Sequence, residues 1–71
     1  MTYKLNVLIK HKSFEPMVKT YVYHGETKQE IVDQIETLPF HRNNLLNYGR
    51  TKFKDINGIT HEWKLSLSKT D

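Results

Sequence analysis

His11, His24, His41 and His61 are the first side chains to test for chemistry, because histidine is the commonest metal ligand and titrates near neutrality. Their spacings of 13, 17 and 20 residues suit neither one helical turn nor one strand face. A two-histidine site would need Glu26 or Glu62 to complete it. Ser13, Ser66 and Ser68 have no glycine elbow and no adjacent base, so an activated nucleophile is not indicated. Asp33 and Glu36 stand at i and i+3 on the outer side of a helical segment, where carboxylates are usually just hydrated. Gly25, Gly49 and Gly58 are isolated, each better suited to a turn or bulge than to a phosphate loop. There is no cysteine, which removes thiolate chemistry and disulfides. The expectation is a protein that is not an enzyme and holds no metal or cofactor. A chain this short also has little volume for a substrate pocket.

What remains is surface. If one sheet face is left open to solvent, the alternation of side chains puts Lys4, Lys10, Lys19, Arg50, Lys52 and Lys54 on it, with Tyr21 and Tyr23 among them. Cations neutralise phosphates and tyrosine rings stack on unpaired bases, so this set suits weak, sequence-tolerant binding of single-stranded nucleic acid. The same reading puts Leu8, Met17, Tyr21 and Tyr23 together as an apolar patch on the first hairpin. Contiguous exposed apolar patches usually mark partner surfaces, and tyrosine is favoured in them. A protein partner or a homodimer through this patch is the favoured expectation, with nucleic acid the alternative. Neither a small-molecule substrate nor a membrane is indicated.

The elements that must position these residues are legible in part. Tyr3, Leu5, Val7 and Ile9 alternate with Lys4, Asn6, Leu8 and Lys10, the pattern of a half-buried strand. A loop over Lys12 to Glu15 and a second strand from Met17 to His24 follow. That loop pairs Ile9 with Val18, Val7 with Thr20 and Leu5 with Val22. Thr27-Lys28-Gln29-Glu30 is a capping box, and Ile31, Ile35 and Leu38 recur at helical spacing. Pro39 stops the helix, which is expected over 28–38. The stretch 40–48 is the least readable: His41-Arg42-Asn43-Asn44 has the look of a loop, and one of Leu45 and Leu46 is expected to reach the core. Asp55-Ile56-Asn57-Gly58 is expected to be a type I turn closed by Gly58 in the left-handed region. That turn pairs Phe53 with His61, Thr51 with Trp63, Lys52 with Glu62 and Arg50 with Lys64.

The chain has 71 residues, a net charge of +3 and a pI near 9.3, which permits an acidic partner without requiring one. It reads as a single α+β domain, 1–71, with 68–71 as a frayed tail. No apolar run approaches the length that spans a bilayer, and no signal peptide is visible. Together with the missing cysteine this favours the cytoplasm. Alanine is absent while Lys, Asn, Thr and Ile are plentiful, a bias that fits AT-rich coding in a phage or low-GC bacterium.

Two hairpins around one amphipathic helix have an economical solution: ββαββ, the helix packed on a four-stranded mixed sheet of order 2-1-4-3, first and last strands parallel. In element order and length this resembles the β-grasp immunoglobulin-binding domains of streptococcal cell-wall proteins. The expected core is Leu5, Val7, Ile9, Val18, Val22, Ile31, Ile35, Leu38, Phe53, Trp63 and Leu65. In this arrangement His24 and His61 share one end of the sheet, and His11 and His41 the other.

Overall fold

The computed structural model describes residues 1–68. It is an α+β fold of four strands and two helices: β1 (Thr2–His11), β2 (Phe14–His24), α1 (Lys28–Asp33), α2 (Pro39–Tyr48), β3 (Arg50–Lys54) and β4 (Thr60–Leu67). The strands form one open sheet of order β2-β1-β4-β3, and every neighbouring pair is antiparallel. No helix is long and apolar enough to cross a membrane.

The strand order agrees with the sequence expectation. The strand direction and the helix count do not: the sheet is not mixed, and two helices replace one. The cause is Pro39. The residue before a proline is pushed out of the helical region, and Leu38 sits at φ −65°, ψ 146°. Pro39 itself suits the first turn of a helix, where its missing N–H goes unused. It therefore starts a second helix, while α1 has already ended at Asp33, five residues short of the expected 38. Gln34 caps α1, and its N–H bonds to the Ile31 carbonyl at 3.2 Å. The Arg42 Nε donates to the Ile35 carbonyl at 2.9 Å, which fastens the joint between the helices. Lys28 Nζ donates to the Leu46 carbonyl at 2.9 Å and draws the two helices together. One helix would carry the chain across the sheet to its far end. The second carries it back, so β3 runs in the same direction as β1 and β4 runs against β1.

The start of α1 is as the sequence indicates. Thr27 Oγ1 accepts from the Glu30 N–H, and Glu30 Oε2 accepts from the Glu26 N–H at 2.7 Å. α2 ends at Gly49, whose φ of 73° only glycine adopts without cost.

The second hairpin has the expected pairing, Phe53–His61, Lys52–Glu62, Thr51–Trp63 and Arg50–Lys64. Gly58 has φ 77° and its N–H bonds to the Asp55 carbonyl at 3.0 Å. The first hairpin does not have the expected pairing. Its loop is only Lys12-Ser13, with His11 opposite Phe14, and an irregularity follows between Ile9 and His11. The extra residue lies on β2 beside Pro16, which cannot donate to a ladder and sits where the ladder is interrupted. Beyond it Ile9 faces Met17, Leu8 faces Val18, Val7 faces Lys19 and Leu5 faces Tyr21. That is one residue from the expected register, and one residue inverts every side chain on the strand.

The core is Leu5, Val7, Ile31, Val32, Ile35, Leu45 and Leu65, with Tyr3, Ile9, Tyr23, Leu46 and Trp63 packed against it. Val18, Val22 and Leu38, expected inside, are 69%, 51% and 66% exposed. The register shift expels the two valines, and the extended joint before Pro39 expels the leucine. Phe53 is half-buried. Ser68, assigned to a frayed tail, donates its N–H to the Thr2 carbonyl at 2.8 Å. The rest of that expected tail, 69–71, lies outside the described residues.

Candidate binding surface

Both helices cover one face of the sheet and leave the other open. On the open face the even-numbered residues of each strand line up across the ladder. Arg50, Lys64, Asn6 and Thr20 form one row, and Lys52, Glu62, Leu8 and Val18 the next. Lys54, Thr60 and Lys10 form a third, and Ser66, Lys4 and Val22 a fourth. Six cations thus share the face with one carboxylate. Lys10 Nζ reaches Glu62 Oε2 at 2.6 Å. That contact, more than the nearby charge of Lys52, holds the Glu62 carboxyl below its usual range. Among the described residues Lys4, Arg50, Lys52, Lys54 and Lys64 have no ion-pair partner. Arg50 and Lys64 are direct cross-strand neighbours of like charge, an arrangement that costs stability.

Tyr48, 74% exposed at the end of α2, borders this face. With Leu8, Arg50, Lys52, Glu62 and Lys64 it lines a shallow, open depression. Its lining combines Leu8, the Tyr48 ring and three cations beside Glu62, with Asn44, Thr51 and Trp63 completing it, a composition that suits a base with its phosphates.

Five of the six cations expected on the open face are there: Lys4, Lys10, Arg50, Lys52 and Lys54. Lys19 is not. It stands opposite Val7 on the helix side. Lys64 is the cation that the sequence reading left out, although its pairing with Arg50 signalled it. The apolar patch is divided. Leu8 is on the open face, whereas Met17, Tyr21 and Tyr23 belong to the helix side. Tyr21, Tyr23, Ile35 and Glu36 there border a groove of about 410 Å³ floored by Leu5 and Val7. Burial raises the Tyr23 hydroxyl pKa, with smaller contributions from Tyr21 and Glu36. The domain is thus large enough for an open groove, contrary to the expectation from its length, although nothing encloses it.

The histidines are rearranged too. Because β4 runs against β1, His61 faces Ile9 and lies far from His24, which pairs with Thr2 at the other end. His24 Nδ1 shares a hydrogen bond of 2.9 Å with Thr2 Oγ1. His41 and His61 stack on the two sides of Phe53, with ring centroids 4.0 and 4.9 Å from it. The phenyl ring between them keeps the two imidazoles from sharing an ion. No cluster of three His, Asp or Glu side chains able to hold a metal occurs among the described residues. His61 Nε2 meets Asp55 Oδ2 at 2.9 Å, and Asp55 Oδ1 accepts from the N–H groups of Asn57 and Ile59. These contacts, the histidine first, hold the Asp55 carboxyl below its usual range. The Asp55–His61 pair is thereby spent on closing the β3–β4 turn.

No family model, no curated protein and no solved structure matches this chain.

Proposed function

We propose that this chain is a non-catalytic binding module that takes single-stranded nucleic acid across its open sheet face. One observation carries the reading: Arg50 and Lys64 oppose each other without an acid, within a face of six cations and one carboxylate. A phosphate seated between them would turn a repulsive pair into two charge-assisted hydrogen bonds. Tyr48 and Leu8 offer the apolar contact on which a base can lie. The sheet face is open, so it can follow a strand without demanding a sequence. Such a role belongs in the cytoplasm, which a cysteine-free sequence suits.

The test is titration with short oligonucleotides at several salt concentrations. If the five unpaired cations each meet a phosphate, the log–log slope of affinity against salt should be about −3 to −4. R50E/K64E should reduce both affinity and slope while leaving the far-ultraviolet spectrum unchanged. A slope near zero, or binding indifferent to this variant, would refute the reading.

A second reading has its own observation. The first hairpin is exposed on both faces, with Met17 at 47%, Val18 at 69%, Tyr21 at 45% and Val22 at 51%. An apolar, two-sided hairpin at a sheet edge suits docking of a protein partner. Replacing Met17 and Tyr21 by Asp would then abolish capture of that partner without unfolding the chain. Capture that survives the double substitution would sink this reading.

A further inference from the structure

The long free edge of the sheet is β2, and the backbone groups that face outward from it can be identified. The Met1 amine donates to the Gly25 carbonyl at 2.7 Å, and the Gly25 N–H donates to the Met1 carbonyl at 3.0 Å. An antiparallel ladder alternates hydrogen-bonded and non-bonded pairs. Counting on from Met1–Gly25, the bonded pairs are Tyr3–Tyr23, Leu5–Tyr21, Val7–Lys19 and Ile9–Met17. The intervening residues, Val18, Thr20 and Val22, turn their N–H and C=O groups away from β1. Both ends of this outward run are closed. Pro16 has no N–H to offer. The His24 carbonyl is occupied by Gln34 Nε2 at 2.7 Å. A five-residue segment, 18–22, is left, in which Thr20 is the central outward-facing residue and Val18 and Val22 are the other two.

We infer that a second copy of this chain pairs with this edge, β2 against β2 and antiparallel, on a two-fold axis through Thr20. This rests on the reading of the first hairpin as a protein-docking element and names its partner. The register follows from the side chains. An axis through Lys19 would set that lysine against its own copy, a like-charge pair that costs stability. An axis through Tyr21 would set Val18 against His24, whose carbonyl is already bonded. The axis through Thr20 sets Val18 against Val22 of the second copy on the open face, and Val22 against Val18. On the helix side it sets Lys19 against Tyr21, where an ammonium can lie over a ring, and Met17 against Tyr23. The outward groups of the three residues then exchange about six hydrogen bonds. The axis is perpendicular to the sheet, so the open faces of the two copies join. The product is one eight-stranded sheet, helices on one side and a doubled cationic face on the other.

The test is sedimentation of the full chain over a concentration series up to about 1 mM. The mass should rise from 8.5 kDa towards twice that value. Amide exchange at Val18, Thr20 and Val22 should slow as it does. Thr20→Pro removes two of the central hydrogen bonds and leaves the β1 ladder intact, because the Thr20 N–H does not face β1. It should weaken association about tenfold. Val18→Lys serves where the proline variant fails to fold, since an exposed valine costs the monomer little. It should likewise weaken association. The register is read by single cysteines in this cysteine-free chain. Thr20→Cys should oxidise to a covalent dimer, because directly opposed residues lie about 5.5 Å apart. Val22→Cys, whose counterpart is Val18, should not. A wild type that stays at 8.5 kDa throughout overturns the self-pairing, as does a dimer that both Thr20→Pro and Val18→Lys leave intact. If the wild type stays monomeric while M17D/Y21D abolishes capture of another protein, the self-pairing fails and the docking reading stands.

Discussion

Asp55 serves two elements with two oxygens. Oδ1 closes the turn through the Asn57 and Ile59 amides, and Oδ2 holds His61 against Phe53. All of these contacts favour the ionised carboxylate, and so does the Lys10 contact for Glu62. A carboxylate whose pKa is lower folded than unfolded stabilises the fold at pH above its unfolded value, near 4. That contribution is lost as pH falls through the folded value. Urea midpoints measured from about pH 6 down to about pH 2 should therefore drop below about pH 4. D55N/E62Q should flatten that drop, because neither amide can titrate. An unchanged acid limb in the double variant would remove these two groups from the account. Tyr23 has the opposite sign. Its raised pKa means that the neutral phenol stabilises the fold below the unfolded value of about 10. The stability is lost as pH rises through the folded value, so Y23F should resist alkali better than the wild type.

At the scale of the element, the two hairpins differ in how far sequence alone determines them. Asp55, Asn57 and Gly58 permit few backbone conformations, and the turn they select sets the register of β3 against β4. The first hairpin has no such residues. Lys12-Ser13 and the interruption beside Pro16 are local choices that shift the register by one, and the alternation on β2 reads equally well in either. Valine on one side and tyrosine on the other leave hydrophobicity unable to name the inner face. This is why the cations, carried mainly on the well-determined strands, were legible, while the patch of Leu8, Met17, Tyr21 and Tyr23 was not. α2 was missed for a related reason. Its sequence, Pro39 to Tyr48, carries little amphipathic pattern, and only Leu45 is fully buried from it. Tertiary packing makes this helix, and a test follows. Leu45→Ala should cost about 3 kcal/mol in denaturant unfolding, because a fully buried leucine is removed. Leu38→Ala, in the exposed joint, should cost under about 0.5 kcal/mol. Similar costs for the two would place the core elsewhere.

For the whole molecule, charge is shared unequally between the faces. The side of the helices carries Glu30, Asp33 and Glu36 beside Lys19, Lys28 and Arg42, whereas the open face carries six cations and one carboxylate. The net charge of +3 therefore understates the field that an approaching polyanion meets. Association with an oligonucleotide should be fast at low ionic strength and slow steeply as salt rises, which stopped-flow fluorescence of Trp63 can follow. Charge reversal at Lys52 and Lys54 should lower the association rate far more than it raises the dissociation rate. An association rate indifferent to salt would mean that the cations of the open face do not steer.

The strand order also fixes when the sheet can close. β1 occupies an inner position, flanked by β2 and β4, and its Leu5 pairs with Leu65 across nearly the whole sequence. The first hairpin can zip locally, since a two-residue loop is closed at little entropic cost. The β1–β4 ladder must instead wait for the most distant loop in the chain, and such non-local pairings slow folding. During synthesis the hairpin is thus complete while β1 still has an open flank, and β4 arrives last to seal it. Until then β1 and β2 both present free edges, and the interval before β4 docks is when a nascent chain is most exposed to pairing with the wrong strand.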